Sequence, residues 1–228
     1  MQRQPFDIGP ESFDKARLQQ QPVFSDAEIF TKIWFSPRKI LRFVNDTHHE
    51  KFLFILLFLA GVSRAFDRAS IKDFGDKLSL PAIIGICVIL GGLFGWISYL
   101  IYAAFINWTG KLLKGQGGTR SIFRVMAYAT IPSAFGLLLL IPQIGVYGNE
   151  CFMSDGDLTN AGLLGNLVFW GAYTLEFILA LWTLVLFVVG VSEVQKFSIW
   201  RAILNILLPV LFIVLIVLLI LLFVKLFF

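Results

Sequence analysis

The run from Ala202 to Val224 holds 23 residues and not one ionisable side chain. A water-soluble protein can hide one such helix in its core, but three further segments of similar length and composition precede it within 228 residues. Four helices of this kind leave too little polar surface to cover them, so lipid is the solvent for most of the chain. Composition supports the same conclusion: 57% of residues are apolar, 15% are charged and mean hydropathy is +0.80. These values exclude the soluble globular class. Nucleic acid is not an expected partner, because the net charge of +4 is small and the basic residues gather at segment ends.

The stretch between Lys77 and Lys111 is uncharged for 33 residues. A helix rising about 1.5 Å per residue needs roughly 20 residues to cross the hydrocarbon layer, so a span is expected from near Pro81 to near Trp108. Val125 to Asn149 predicts a third span, bent at Pro132 and ended near Pro142, and Leu158 to Ser192 a fourth, interrupted only by Glu176. The short element is Phe52 to Val62, which crosses only if Lys51 and Arg64 extend to the interfaces and the helix continues through Phe66. Five spans with the tail inside place 14 of the 19 Lys and Arg residues on the inner side, and four spans place 13 there. Only the five-span arrangement with the tail inside also puts the four cations of residues 111–124 in the cytosol, opposite the cation-free stretch 147–160.

The expected fold is therefore all-α, a polytopic transmembrane helical bundle of five spans. Residues 1–35, rich in Gln and charged side chains, form a flexible cytosolic N-terminal tail, and residues 36–228 form the transmembrane domain. No secretory signal is seen, since the first strongly apolar run begins at residue 52. Ser36 and Pro37 begin a short amphipathic interfacial helix whose Ile40, Leu41, Phe43 and Val44 face the membrane while Arg38, Lys39 and Arg42 reach headgroups. A second short helix is expected at Ser70–Asp76, where Ser70 and Asp73 have capping-box spacing. Cys87 and Cys151 are not expected to pair.

Glu176 is the ionisable residue deep inside an otherwise apolar span. An ionised carboxylate there costs about 3 kcal/mol, so it is protonated, paired or next to water. Tyr173 lies one turn away, and hydroxyls such as Ser98, Tyr99, Thr130 and Ser133 are candidate partners on other helices. Both a structural hydrogen bond and a proton- or cation-handling site fit this pattern. Gly91 and Gly95 form a GxxxG pair that supports either an internal helix contact or a dimer. Lys111, Lys114, Arg120 and Arg124 surround the turn GKLLKGQGG, a flexible basic turn whose cations contact anionic headgroups. Asn205 and Pro209 predict a static kink in the last span. The adjacent His48 and His49 do not form a metal pair, no catalytic motif is present, and neither cofactor nor metal is expected.

The segments KIWFSPRKILRFVND and GVSRAF, the LSLPAIIG start of the second span, the RVMAYATIP start of the third and the closing helix after VQKFSIWRAI give the chain its family likeness. It resembles the prokaryotic branch of the Yip (Ypt-interacting-protein) domain family over roughly residues 30 to 225. The resemblance implies a five-span bundle with a cytoplasmic N-terminus in a cell membrane, the bacterial inner membrane by the prokaryotic likeness. Eukaryotic relatives are tied to small GTPases and vesicle traffic. Their DLYGP-like signature is not found here, where LSLPAI keeps little beyond the proline, so GTPase binding does not carry over. The function expected is non-enzymatic membrane organisation or scaffolding, with membrane lipids, another membrane protein or a second copy of the chain as partners. The alternative is a small transporter or ion-conducting protein that uses Glu176.

Overall fold

The computed structural model describes residues 24–158 and 162–227, all in helices and short connections. Helix α1 (Asp26–Lys32) is started by a reciprocal cap in which the Ser25 amide donates to Glu28 and the Glu28 amide to Ser25 Oγ. Its apolar face is fully buried through Ile29, with Ile33 just beyond. Within the expected flexible tail, Phe24, Ile29, Phe30, Ile33 and Trp34 pack on the bundle; residues 1–23 lie outside the described residues. Helix α2 (Pro37–Asp46) starts at Pro37, but Ser36 makes no side-chain cap. Its Ile40, Leu41 and Val44 are fully buried. The amphipathic pattern predicts a helix with one buried face, and in the structure that face packs on the bundle instead of the membrane expected to cover it. Either surface removes the same apolar area from water, so periodicity alone does not choose between them.

Helix α3 (Leu53–Ile71) has 19 residues and is about 28 Å long. At its start Glu50 binds Arg120 and Arg124, and at its finish Ser70 Oγ donates to the Cys151 carbonyl. The first of these ends is called the basic end and the second the far end. Ser70 closes α3 instead of starting a helix; Asp73, with φ of +53°, turns the chain into a single 310 turn at Phe74–Asp76. Helices α4 (Leu80–Ile86) and α5 (Gly92–Leu112) are joined without a break by a π turn at Cys87–Gly91. Helices α6 (Thr119–Ala129) and α7 (Ile131–Tyr147) meet at Thr130, where Pro132 supplies no amide hydrogen to continue the ladder. Pro142 lies inside α7 and does not end it. Helices α8 (Gly162–Gln195) and α9 (Ile199–Phe227) complete the chain.

Among the described residues four stretches are long and apolar enough to cross a membrane: Leu80–Leu112, Thr119–Phe152, Gly162–Gln195 and Ile199–Lys225. The protein is a polytopic helical membrane bundle. Its larger apolar core lies towards the basic end and includes Leu41, Leu57, Ile106, Tyr128 and Leu186, while a smaller one at the far end holds Val62, Phe66, Ile83, Cys87 and Phe152.

Candidate functional site: a polar crevice inside the bundle

Ser63, Arg64 and Asp67 follow one another at helical spacing on α3, and all three line a cavity of about 590 Å³. Across it stand Ser98, Tyr99 and Tyr102 of α5, Thr130 and Ser133 at the α6–α7 break, and Thr183 of α8. A smaller cavity of about 170 Å³ shares Ser63, Asp67, Ser133 and Ala180 with the first and reaches Glu176. The two form one crevice carrying a cation and two carboxylates. Its opening is not sealed, because Arg64, Asp67, Ala180 and Leu184 are exposed.

The partners differ from those expected. Gln143 Nε2 donates to Glu176 Oε1 at 2.6 Å. Thr130 Oγ1 donates to the Ala127 carbonyl at 2.7 Å, while the Ser133 and Thr183 hydroxyls pair at 2.9 Å. Ser98 and Thr130 therefore share the crevice with Glu176 without bonding to it. Tyr173 lies outside: it is 59% exposed and stacks on Phe169. Three helical residues leave Tyr173 only about 60° round the helix from Glu176, yet its ring packs on Phe169 and not into the crevice. The Arg64 guanidinium sits over the Tyr99 ring, 5.0 Å from its centre. Among the described residues it has no ion pair within 4.0 Å.

Charged residues at the basic end are mostly committed to the protein itself. Arg124 is buried, and its Nη2 lies 2.8 Å from Glu50 Oε1. Arg120 grips both oxygens of the same carboxylate from the exposed side. Hydrogen bonds from Arg120 and then Arg124 hold the Glu50 carboxyl down at about 2. Arg38 and Arg42 converge on buried Glu193 at 3.0 and 2.9 Å. Lys39, Lys111 and Lys114 remain exposed. The turn expected to be flexible is anchored: the Gly117 amide donates to Gln195 Oε1, the Gln116 amide to the Gln195 carbonyl.

A family model of the Yip1 domain matches residues 31–222. The chain belongs to the Yip1 domain family. No curated protein and no solved structure matches it. The Yip1 match spans every residue that lines the crevice and supports a non-enzymatic membrane protein. Among the described residues no group of three or more His, Cys, Asp or Glu side chains is placed to hold a metal.

Within the Yip1 domain the GxxxG pair makes an internal contact. A Cβ on Gly61 would stand 2.9 Å from Gly95 Cα and closer still to the Gly91 carbonyl oxygen, so α3 and α5 touch through backbone atoms. Cys87 and Cys151 are free thiols. Sequence reasoning missed Asp67 and Gln143 in the crevice and did not see Arg64 as part of it. Arg64 and Asp67 carry a signal as charges within an otherwise apolar segment, but a cation at the end of a short apolar run fits the flank of a span equally well. Glu50, Glu193 and Gln195, each holding an inter-helix contact, had no signal in residue type or spacing.

Proposed function

We propose that this Yip1-domain protein organises membranes through contacts with lipid and with other membrane proteins. In this reading it has five spans, α3 being the first, and a cytoplasmic N-terminus, and it sits in a cell membrane of the bacterial inner-membrane type. The observation that carries the reading is the last helix. Up to Ile206 it packs on α5 and α8, with Tyr102 donating to the Ile206 carbonyl and Thr109 Oγ1 to Asn205 Oδ1. From Val210 to Val224 every side chain is apolar and 42–60% exposed, and apart from contacts such as Phe212 against Trp108 of α5 most of the helix surface is offered to lipid or a neighbouring helix. A photo-crosslinker at Leu215 or Leu219 in native membranes should recover a discrete partner or a homodimer. Recovery of neither, with membrane composition unchanged on deletion, would count against organisation.

Five spans are supported by the way α3 joins the same two ends as the Thr119–Phe152 stretch. In a chain with Cys87 and Cys151 replaced by Ser, cysteines at Thr47 and Gln116 should label from one side of the membrane and one at Ser154 from the other. Labelling of Thr47 and Gln116 from opposite sides would leave four spans.

A second reading, transport, draws on the crevice itself, where Glu176 borders polar space also lined by Asp67. Flux into liposomes that disappears in Glu176→Gln would favour it. Absence of flux across a broad panel of solutes would rule against it.

A further inference from the structure

We infer that the crevice is a binding site for a phospholipid headgroup that carries a primary amine beside its phosphate, with the acyl chains passing out between α5 and α8. This deepens the lipid-contact reading and rests on α3 crossing the membrane. Arg64 lies eleven residues into α3, about 16 Å along it and near the middle of a layer roughly 30 Å thick. A charge at that depth is costly unless it meets water or an opposite charge, and three charged residues line this one crevice.

Their arrangement has the signs of an amine-bearing phospholipid. The guanidinium of Arg64, set over Tyr99, presents several N–H donors to a phosphate, and among the described residues no carboxylate oxygen lies within 4.0 Å of it. Asp67 stands one turn further along α3 and faces both parts of the crevice, while Glu176 lies in the second part. Two carboxylates beyond the cation suit an ammonium group bonded to the same headgroup. A quaternary amine cannot donate the hydrogen bonds they would accept, and a glycerol headgroup brings no positive charge.

The walls favour a lipid over a free solute. Helices α5 and α8 meet through the Tyr102 and Phe187 rings, whose centres are 6.0 Å apart. Helix α9 packs on both walls through its first half, and past Pro209 its side chains are largely exposed, with Phe212 still set edge-on against Trp108 of α5. Along α8 the crevice is bordered by the exposed Leu184 and Ala180. A polar interior beside an apolar, lipid-facing wall accommodates a molecule that is polar at one end and apolar at the other.

The test uses the full chain in nanodiscs of equal phosphatidylethanolamine, phosphatidylglycerol and phosphatidylcholine, followed by gentle release and native mass spectrometry of retained lipid. Phosphatidylethanolamine should be retained at least fivefold over each of the others. Asp67→Asn should abolish that preference, Arg64→Gln should lower retention of all three lipids, Arg64→Lys should keep most of the wild-type retention, and Leu219→Ala on the exposed half of α9 should leave the preference intact. Equal retention of all three lipids by the wild-type protein overturns the proposal, even if a crevice variant fails to fold. Displacement of the lipid by millimolar soluble phosphoethanolamine would also overturn it in favour of a small-solute site. The outcome is separable from the broader reading, because a missing protein partner in the crosslinking experiment leaves lipid retention unaffected, whereas retention without selectivity leaves any protein partner in place.

Discussion

Replacing Gly61 with leucine should prevent the bundle from assembling. A side chain there must displace the backbone of Gly91 and Gly95, not the tip of a flexible neighbour, so α3 and α5 would have to separate along their contact. Overfilling a packed interior costs about 1–3 kcal/mol where side chains can yield, and more is expected where only backbone is available to move. Gly61→Ala should already lower the melting temperature in detergent, and Gly61→Leu should leave little monodisperse protein. Gly85→Leu is the matched control, since a Cβ at Gly85 meets nothing within 4 Å. It should change stability by no more than about 0.5 kcal/mol. Equal tolerance at both positions would refute the close contact.

Glu50→Gln should produce the second large loss, because it leaves the guanidinium of Arg124 buried without its carboxylate. Stranding a fully buried charge costs about 3–5 kcal/mol; here about 2 kcal/mol is expected, since Arg124 retains a bond to the Asn45 carbonyl and Glu50 is partly solvated. Arg120→Gln should matter much less, its side chain being 79% exposed. The same pair sets a pH dependence. The Glu50 carboxyl is lowered in the folded state from an ordinary 4.5 to about 2, so its contribution is complete above pH 4.5 and lost as pH falls from there to about 2. Melting curves across that interval should show a decline for the wild type that Glu50→Gln lacks. Parallel curves would show that the pair contributes nothing.

These two sites differ in how visible they were beforehand. The GxxxG pair announces a close helix contact, but Gly61, the residue it meets, lies in GVSRAF, where the residue at the same spacing is Ala65 and not a second glycine. Gly91 and Gly95 fit a dimer as well as an internal contact until the path of α3 is known. Charge counting places Arg120 and Arg124 on the inner side and predicts headgroup contacts, because it locates a cation relative to the membrane and does not say that Glu50 lies within reach. Glu50 and Arg124 are 74 residues apart, a separation over which no helical period carries information.

Hydrophobicity behaves differently. Whether a segment can lie in lipid depends on its own side chains, so the helical class, the four long apolar stretches and the oddity of Glu176 were all determined by the chain read one window at a time. Periodicity likewise showed that Pro37–Asp46 hides one face. What covers that face, which carboxylate holds each arginine, and the meeting of Arg64, Asp67 and Glu176 around one polar crevice were decided by the tertiary structure alone. Burial is an energy of a segment against its solvent, whereas ion pairs, glycine contacts and cavities exist only between segments brought together by the folded chain.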